Sequence, residues 1–515
     1  MRVVKSWLLY WPFMVLLALS LSGSLWAAPT FVNAADPDLP DKALGVPKGG
    51  ALNVFALELE GEGTVTLELE RFEVFATDAE LTVVGDNGST AFDPPSDAYF
   101  RGWSDHDPDT VVMLAVSEQG VMRGMITGST GAWLLEGPSG QANGLRNRKV
   151  DLESELAGRS FECGTNGLQS TVASAGAAAA LAAGLPPATN VQYTAYVIVD
   201  TDYEYWQIFG NAADAFEYMG DLFAYVSSVY EREIDTNLLI SQARLFTSDF
   251  DPYALNNAGC TVAGSLQELT AEWSADPTPR TNVHLLSGKT AGQGCANVGV
   301  LCSQANGYGV SMGIGLGYGG GNLDIDNPVI FWDSYVVAHE IGHNFNSPHT
   351  QGYCTIDGIT DPVDVCAAVE GACVAATYAG IIGSLPGPGA LTGGTAGAGN
   401  GTLMSYCHQP TGGFGNFSFT FGKWHPDGIA AFRVPDRMSA HVAANAACMA
   451  LEYDAPDLQV LKDCKPDEPL LVGETGICTI TVENNGPTMA LGVTLEDKYL
   501  SDGTFSFGTI TATKG

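Results

Sequence analysis

His339-Glu340-Ile341-Gly342-His343-Asn344-Phe345-Asn346-Ser347-Pro348-His349 decides how this chain reads. It follows residues 333–338, an apolar-periodic run suited to a helix. Residues four apart share one helical face, so His339 and His343 can offer imidazoles to a single ion. Glu340, beside the first of them, can face a water on that ion. Two histidines at this spacing also arise by chance, as a helix with two surface histidines, but three features weigh against that. His349 stands where the extended motif places a third ligand. Asn346 occupies the turn that brings His349 round, a position that needs positive φ and suits Gly first and Asn next. Gly401-Thr402-Leu403-Met404-Ser405-Tyr406 follows after a Gly-rich stretch. Three protein ligands with an open fourth position is the arrangement of catalytic zinc, whereas structural zinc is closed by four. The ion brings its water toward a pKa of ~7 and a carboxylate removes the proton. The reading is therefore one catalytic zinc ion on His339, His343 and His349, with Glu340 as the base.

These residues resemble the metzincin zinc endopeptidases, and within them the adamalysin/reprolysin-type enzymes. The resemblance covers about residues 191–450, including "NVHLLSGK", "GVLCSQANGYGVS" and a closing helix to Cys448. It implies an α/β (α+β) catalytic domain with a mixed sheet and an active-site helix. It implies the ligand set already named, the base Glu340, and a Met-turn at Met404 beneath the ligands. Asn346 departs from the family's usual Gly. Tyr406 fits two roles: a fifth ligand, by the spacing of astacin- and serralysin-like enzymes, or a wall of the specificity pocket. The resemblance also makes Cys295-Ala296-Asn297-Val298-Gly299 the edge strand on which substrate lies by backbone pairing. The remaining histidines lack paired spacing. His284 reads as core, and His408, His425 and His441 as bystanders.

Outward from the motif the chain changes character several times. Arg2 and Lys5, an apolar run from Trp7 to Leu21 and the small residues up to Ala28 form a secretory signal peptide. Cleavage falls near Ala27 or Ala28, with Ala34 as a competitor. An uncleaved anchor is the lesser reading because Pro12 and the Ser/Gly break interrupt it. From Ala51 to about Pro138 residues alternate, as in Thr64-Val65-Thr66-Leu67-Glu68-Leu69-Glu70, which marks half-buried strands. Residues 173–183 are nearly all Ala and Gly and join two domains. Residues 193–199, 238–246, 283–286 and 308–312 read as strands, 206–230 as one helix, 380–401 as loop and 427–447 as the closing helix. After Pro456 alternation returns, with "TITVENNGP" resembling a β module of bacterial surface proteins.

The fold class expected is thus multi-domain: signal peptide 1–28, β-rich pro-region and linker 29–190, metalloprotease domain 191–452, and a small, incomplete all-β sandwich at 456–515. The 515 residues carry 58 acidic against 22 basic side chains, a net charge of −36. That balance excludes a nucleic-acid partner, since phosphate binding needs clustered Lys and Arg. Protein or peptide substrates are expected, with no membrane span after signal cleavage, and a secreted or cell-surface location through the C-terminal module. A calcium site has no legible signature.

Eleven cysteines in an exported chain form a disulfide framework with one left over. Residues 191–450 hold eight and the tail holds Cys464 and Cys478, so Cys163 stands alone before Gly164. It reads as an inhibitory thiol closing the fourth zinc position of a zymogen, a use of Cys-Gly that metzincin pro-regions share. A cross-link to another domain is its competitor. The function expected is a secreted zinc endopeptidase. The alternative is a catalytically silent surface adhesion protein on a peptidase fold, which would be expected to have lost Glu340 or a ligand. A zinc esterase or amidase is a third reading, separable by casein or gelatin zymography.

Overall fold

The alternation seen from Ala51 onward builds a sheet with one face on a core. In the computed structural model, which describes residues 29–137, 144–166, 192–260, 263–317, 325–373, 375–452, 458–465 and 477–484, Val65, Leu67 and Leu69 are buried while the intervening Thr66, Glu68 and Glu70 are partly exposed. The leader, the Ala/Gly-rich segment and most of the tail lie outside the described residues. The N-terminal elements are β1 (Thr30–Asn33), α1 (Leu39–Leu44), β2 (Ala51–Leu59), β3 (Gly63–Phe72), β4 (Phe75–Gly85), β5 (Gly88–Phe92), β6 (Ala98–Ser104), β7 (Asp107–Val116), β8 (Met122–Gly128), β9 (Gly131–Glu136), β10 (Arg146–Val150), α2 (Leu152–Glu155) and β11 (Glu162–Asn166). The first sheet has the order β1-β2-β3-β6-β7-β8-β9-β10, antiparallel except for β1 on β2. Alternation stops at Val111, and every residue from there to Val116 is buried. A run of that kind belongs to a strand covered on both faces. Val112, Leu114 and Val116 face a core with Leu52 and Leu67. Val111, Met113 and Ala115 face the second, larger core.

That larger core belongs to the sequence's central part. It contains β12 (Gln192–Thr201), α3 (Tyr203–Phe209), α4 (Ala212–Ile234), β13 (Thr236–Phe246), α5 (Ser265–Trp273), β14 (Asn282–Ser287), β15 (Gln293–Asn297), β16 (Tyr308–Met312) and α6 (Val329–Asn344). α7 (Ala375–Tyr378), β17 (Pro386–Gly387), β18 (Ala390–Gly393), α8 (Arg433–Ala444) and β19 (Ala450–Glu452) complete it. The second sheet runs β11-β15-β16-β14-β12-β13-β4-β5, with β19 against β12. β13, β12, β14 and β16 are parallel, which requires crossovers; α4 and α5 supply two of them. β15 is antiparallel to β16. The expected mixed sheet is therefore present, but both of its edges come from the N-terminal region: β4 and β5 at one end, β11 at the other. Residues Ala27–Glu452 form one compact unit.

Two helix readings are corrected. The single helix expected over 206–230 is two, because Gly210 takes a left-handed φ of 73° and Asn211 then caps α4 by accepting from Asp214 N at 2.9 Å. The closing helix begins only at Arg433, after a run of turns and bridges from Asp427. The loop at 380–401 holds the short pair β17–β18.

Four disulfides join Cys260–Cys295, Cys302–Cys448, Cys354–Cys373 and Cys366–Cys407, and among the described residues Cys163 is the free cysteine. The tail forms a separate unit, where β20 (Leu458–Lys465) and β21 (Ile477–Asn484) pair antiparallel with Cys464 opposite Cys478. The rest of the expected sandwich lies outside the described residues. No helix among the described residues is long and apolar enough to cross a membrane.

Candidate metal centre

α6 carries the motif through the middle of the larger core, and all of its residues are buried. A helix that is apolar on most sides is held by packing rather than by its caps. One turn separates His339 from His343, and their Nε2 atoms are 3.2 Å apart. The helix stops at Phe345, where Asn346 adopts φ 79°. Arg437 of α8 fixes that turn, donating from Nε to Asn346 O at 2.6 Å and from Nη2 to Asn346 Oδ1 at 2.9 Å. Asn thus meets the positive φ and also supplies an acceptor that Gly could not. The chain beyond it returns His349 to the histidine pair. One ligand-type atom from each of Cys163, His339, His343 and His349 lies within 4.8 Å of the other three, a set that can hold a metal ion.

The far nitrogen of each imidazole is tied. Nδ1 of His339 donates to Leu403 O at 2.7 Å, Nδ1 of His343 to Ser347 O at 2.7 Å, and Nδ1 of His349 to Glu370 Oε2 at 2.9 Å. A proton on Nδ1 leaves the Nε2 lone pair facing the centre. Burial, with His343 and His349 beside His339 and His349 beside His343, holds both imidazoles well below their usual range, which favours the neutral form. Neutral imidazole is the form that binds metal. His349 Nε2 has no hydrogen-bond partner, and neither oxygen of Glu370's counterpart at the centre, Glu340, has one either. Three nitrogens and one sulfur converging on a point, with a buried lone pair left over, fit zinc.

Glu340 is fully buried and points at β15. A Cβ on Gly294 would collide with Glu340 Oε1, so that strand position must be glycine for the carboxylate to sit there. Met404 lies under α6: a Cβ on Gly342 would be 2.6 Å from Met404 Sδ. The turn around Met404 is joined to the motif through Leu403 O and through Thr350 N, which donates to Met404 O at 3.1 Å. Cys366–Cys407 pins its far end.

Cys163 arrives on β11, which pairs parallel with β15 and places Cys163 opposite Gly294. Its Sγ is 3.3 Å from His343 Nε2. Gly164 follows because a Cβ there would collide with Cys260 of the Cys260–Cys295 disulfide. Tyr406 holds the segment from the other wall: its hydroxyl accepts from Cys163 N at 2.9 Å and donates to Cys163 O at 2.5 Å. Phe161 sets its ring edge-on to His339, at 5.1 Å between centroids.

All the residues singled out from the sequence therefore converge: His339, Glu340, His343, His349, Met404, Tyr406 and Cys163. His284 is core, bonded to Ser311 Oγ at 2.9 Å, and burial takes its pKa down to about 3. His408 lines the cleft with Nε2 3.2 Å from Phe161 O, while His425 and His441 lie elsewhere. Sequence reasoning missed Glu370 and Arg437, which act through contacts distant in sequence. The signal available for Glu370 was a carboxylate between Cys366 and Cys373. Asp364, Cys366 and Cys407 also cluster, but the two cysteines are bonded to each other.

Residues 191–418 match a reprolysin-type model of metallo-peptidase family M12. No curated protein matches the chain. Among solved structures, the crystal structure of metalloproteinase-II from Bacteroides fragilis aligns at 10% identity with a TM-score of 0.35, covering 63% of this chain and 89% of that one. The structure of a chaperone–substrate complex aligns at 12% identity with a TM-score of 0.21, covering 58% of this chain and 46% of that one. Neither superposition is close enough to argue from, and the assignment rests on the family match. The chain carries a domain of metallo-peptidase family M12, which implies a zinc peptidase acting on protein substrates.

Proposed function

We propose that the chain is an exported zinc endopeptidase, held latent by its own segment 151–166. The observation that carries this reading is the convergence of three tied imidazoles and a free thiol beside a buried carboxylate with no partner. His339, His343 and His349 would hold the ion, and Cys163 would close the fourth position in the latent form. When bound, zinc supplies Lewis acidity that makes a water acidic and polarises a peptide carbonyl. Glu340 takes a proton from the attacking water and delivers it to the departing amine. Substrate would occupy the outer edge of β15 once β11 has left it, held by backbone pairing. Met404 supports the histidines from below. Tyr406, whose hydroxyl is placed to bond a backbone in the cleft, serves substrate in the same way after the segment leaves. The disulfides and the leader support export, and the tail module supports surface attachment.

Metal analysis of the purified full chain is expected to find one zinc per chain, and His343→Ala is expected to lose it, since two imidazoles hold zinc poorly. A full chain that binds no stoichiometric zinc would overturn the proposal. Casein hydrolysis by the processed enzyme should be stopped by a phenanthroline-type chelator and not by a serine-protease reagent.

Glu370 is the positioning residue of this centre. Its Oε1 accepts from Gln351 Nε2 at 3.1 Å while Oε2 takes the His349 proton. Cys354–Cys373 and Cys366–Cys407 fix the loop that carries it. Glu370→Gln should weaken zinc binding by about 10–100-fold, the usual cost of losing such an outer partner. Competition against a metal-binding dye measures this directly, and unchanged affinity would remove Glu370 from the centre.

A further inference from the structure

We infer that the N-terminal sheet is a permanent part of the catalytic unit, and that only the short arm 151–166 is built to leave. A region meant for release must be soluble alone and must leave a soluble partner behind. The first sheet meets neither condition. Its second face presents Phe72, Tyr99, Val111, Met113, Met125 and Leu134 to the same core as α4, and all six are buried. β4 has left that sheet to pair with β13 from Gln242↔Glu80 to Phe246↔Val84. Without β4, β13 would become an open edge, a template for aggregation.

The contact is also close, and charged groups are buried within it. A Cβ on Gly220 of α4 would collide with the Tyr99 hydroxyl. Arg123 of β8, fully buried, donates to Asp221 of α4 from Nε at 2.5 Å and from Nη2 at 2.9 Å, and also pairs with Asp97. Glu217 of α4 lies 2.8 Å from Arg123 Nη1 without hydrogen-bond geometry. Burial pushes Glu217 up to about 7 and Asp221 up to about 6 despite that guanidinium, as a dry interface does. Thr127 and Tyr225 share a hydrogen bond of 2.6 Å across the same contact. Separation would expose an unpaired cation, its carboxylates and two apolar faces together.

The arm is held less deeply. None of the residues of α2 is buried. It is held by the β11–β15 ladder, by Leu156 and Phe161 buried in the larger core, by the Arg148–Glu155 ion pair, by Arg159 on Leu316 O and over the Trp332 ring, by the two Tyr406 bonds and by Cys163 at the centre. Of its described side chains Leu156 and Phe161 are the buried ones, and its strand pairs along a single edge, that of β15. Relief of latency therefore concerns the arm, while the sheet stays.

The test inserts a site-specific protease sequence between Gly167 and Asn190 of the full chain and cuts it to completion. On native size exclusion the two pieces should elute together at the uncut position, even at nanomolar load, and should part only in denaturant. Separate peaks without denaturant would overturn the inference, whether or not the larger piece stays soluble. The same cut in Cys163→Ala with EDTA present removes any hold through a metal. Co-elution should persist there; its loss would mean that the arm, not the sheet, joins the pieces, and would also overturn the inference. Neither readout uses activity, so the result stands apart from the proposed chemistry.

Discussion

Glu340→Ala, made in enzyme relieved of its arm, should lose peptide hydrolysis by roughly 10²–10⁴-fold while keeping its zinc. The geometry separates the two functions. His339, His343 and His349 aim Nε2 atoms at the centre, whereas the Glu340 carboxylate lies beside them with both oxygens unpartnered. Burial raises its pKa well above the carboxylate range, with the neighbouring Cys163 thiol opposing. A carboxyl that accepts a proton readily is suited to receive one from water and return it. Glu340→Gln keeps the volume against Gly294 and should lose as much, which separates proton transfer from packing. Zinc content measured beside turnover checks both parts. Near-normal turnover in either variant would remove Glu340 as the base. Loss of zinc along with activity would make it a ligand instead.

The centre was legible because its chemistry is written at helical spacing. His339 and His343 four apart, a turn residue that tolerates positive φ and a third histidine just beyond are all local facts. Glu370 was not legible, because its partner His349 reaches it through a loop set by two disulfides, and no spacing rule encodes that. The division of residues 206–230 was foreseeable in part, since Gly210-Asn211 is a stop followed by a cap, but the flanking apolar periodicity masked it. The path of β4 was not foreseeable. Alternation tells a strand that one face is buried, and it reads the same whichever sheet the strand joins. The run from Val111 to Val116 did hold a signal: six residues buried without alternation need cover on both faces. That cover is α4, and it is why the boundary drawn near residue 190 does not coincide with a gap in packing.

Cys163→Ser should turn the latent full chain into one that cleaves a small peptide without processing, at least about tenfold faster than the unaltered chain. The thiol is the arm's ligand-type group at the centre. Its Sγ lies 3.3 Å from His343 Nε2 and within 4.8 Å of a ring nitrogen of each of the three histidines. Without a metal, burial and the Glu340 charge hold that thiol well above its usual range, so a cation at the centre is what would favour the thiolate. A serine hydroxyl has no comparable affinity for zinc and leaves the fourth position to water. What remains includes the β11–β15 ladder, two Tyr406 hydrogen bonds, the Arg159 contacts with Leu316 and Trp332, and the buried Leu156 and Phe161. Each hydrogen bond contributes about 1 kcal/mol net and the phenyl ring about 1.5–3 kcal/mol. The arm then still competes with substrate, so activity should fall short of enzyme from which the arm has been removed. Two measurements bracket the claim. In the unaltered chain, Cys163 should resist alkylation until zinc is chelated, and then react. Basal hydrolysis by Cys163→Ser no faster than that of the unaltered chain, or a mass spectrum placing Cys163 in a disulfide, would end the assignment of the thiol as the latch.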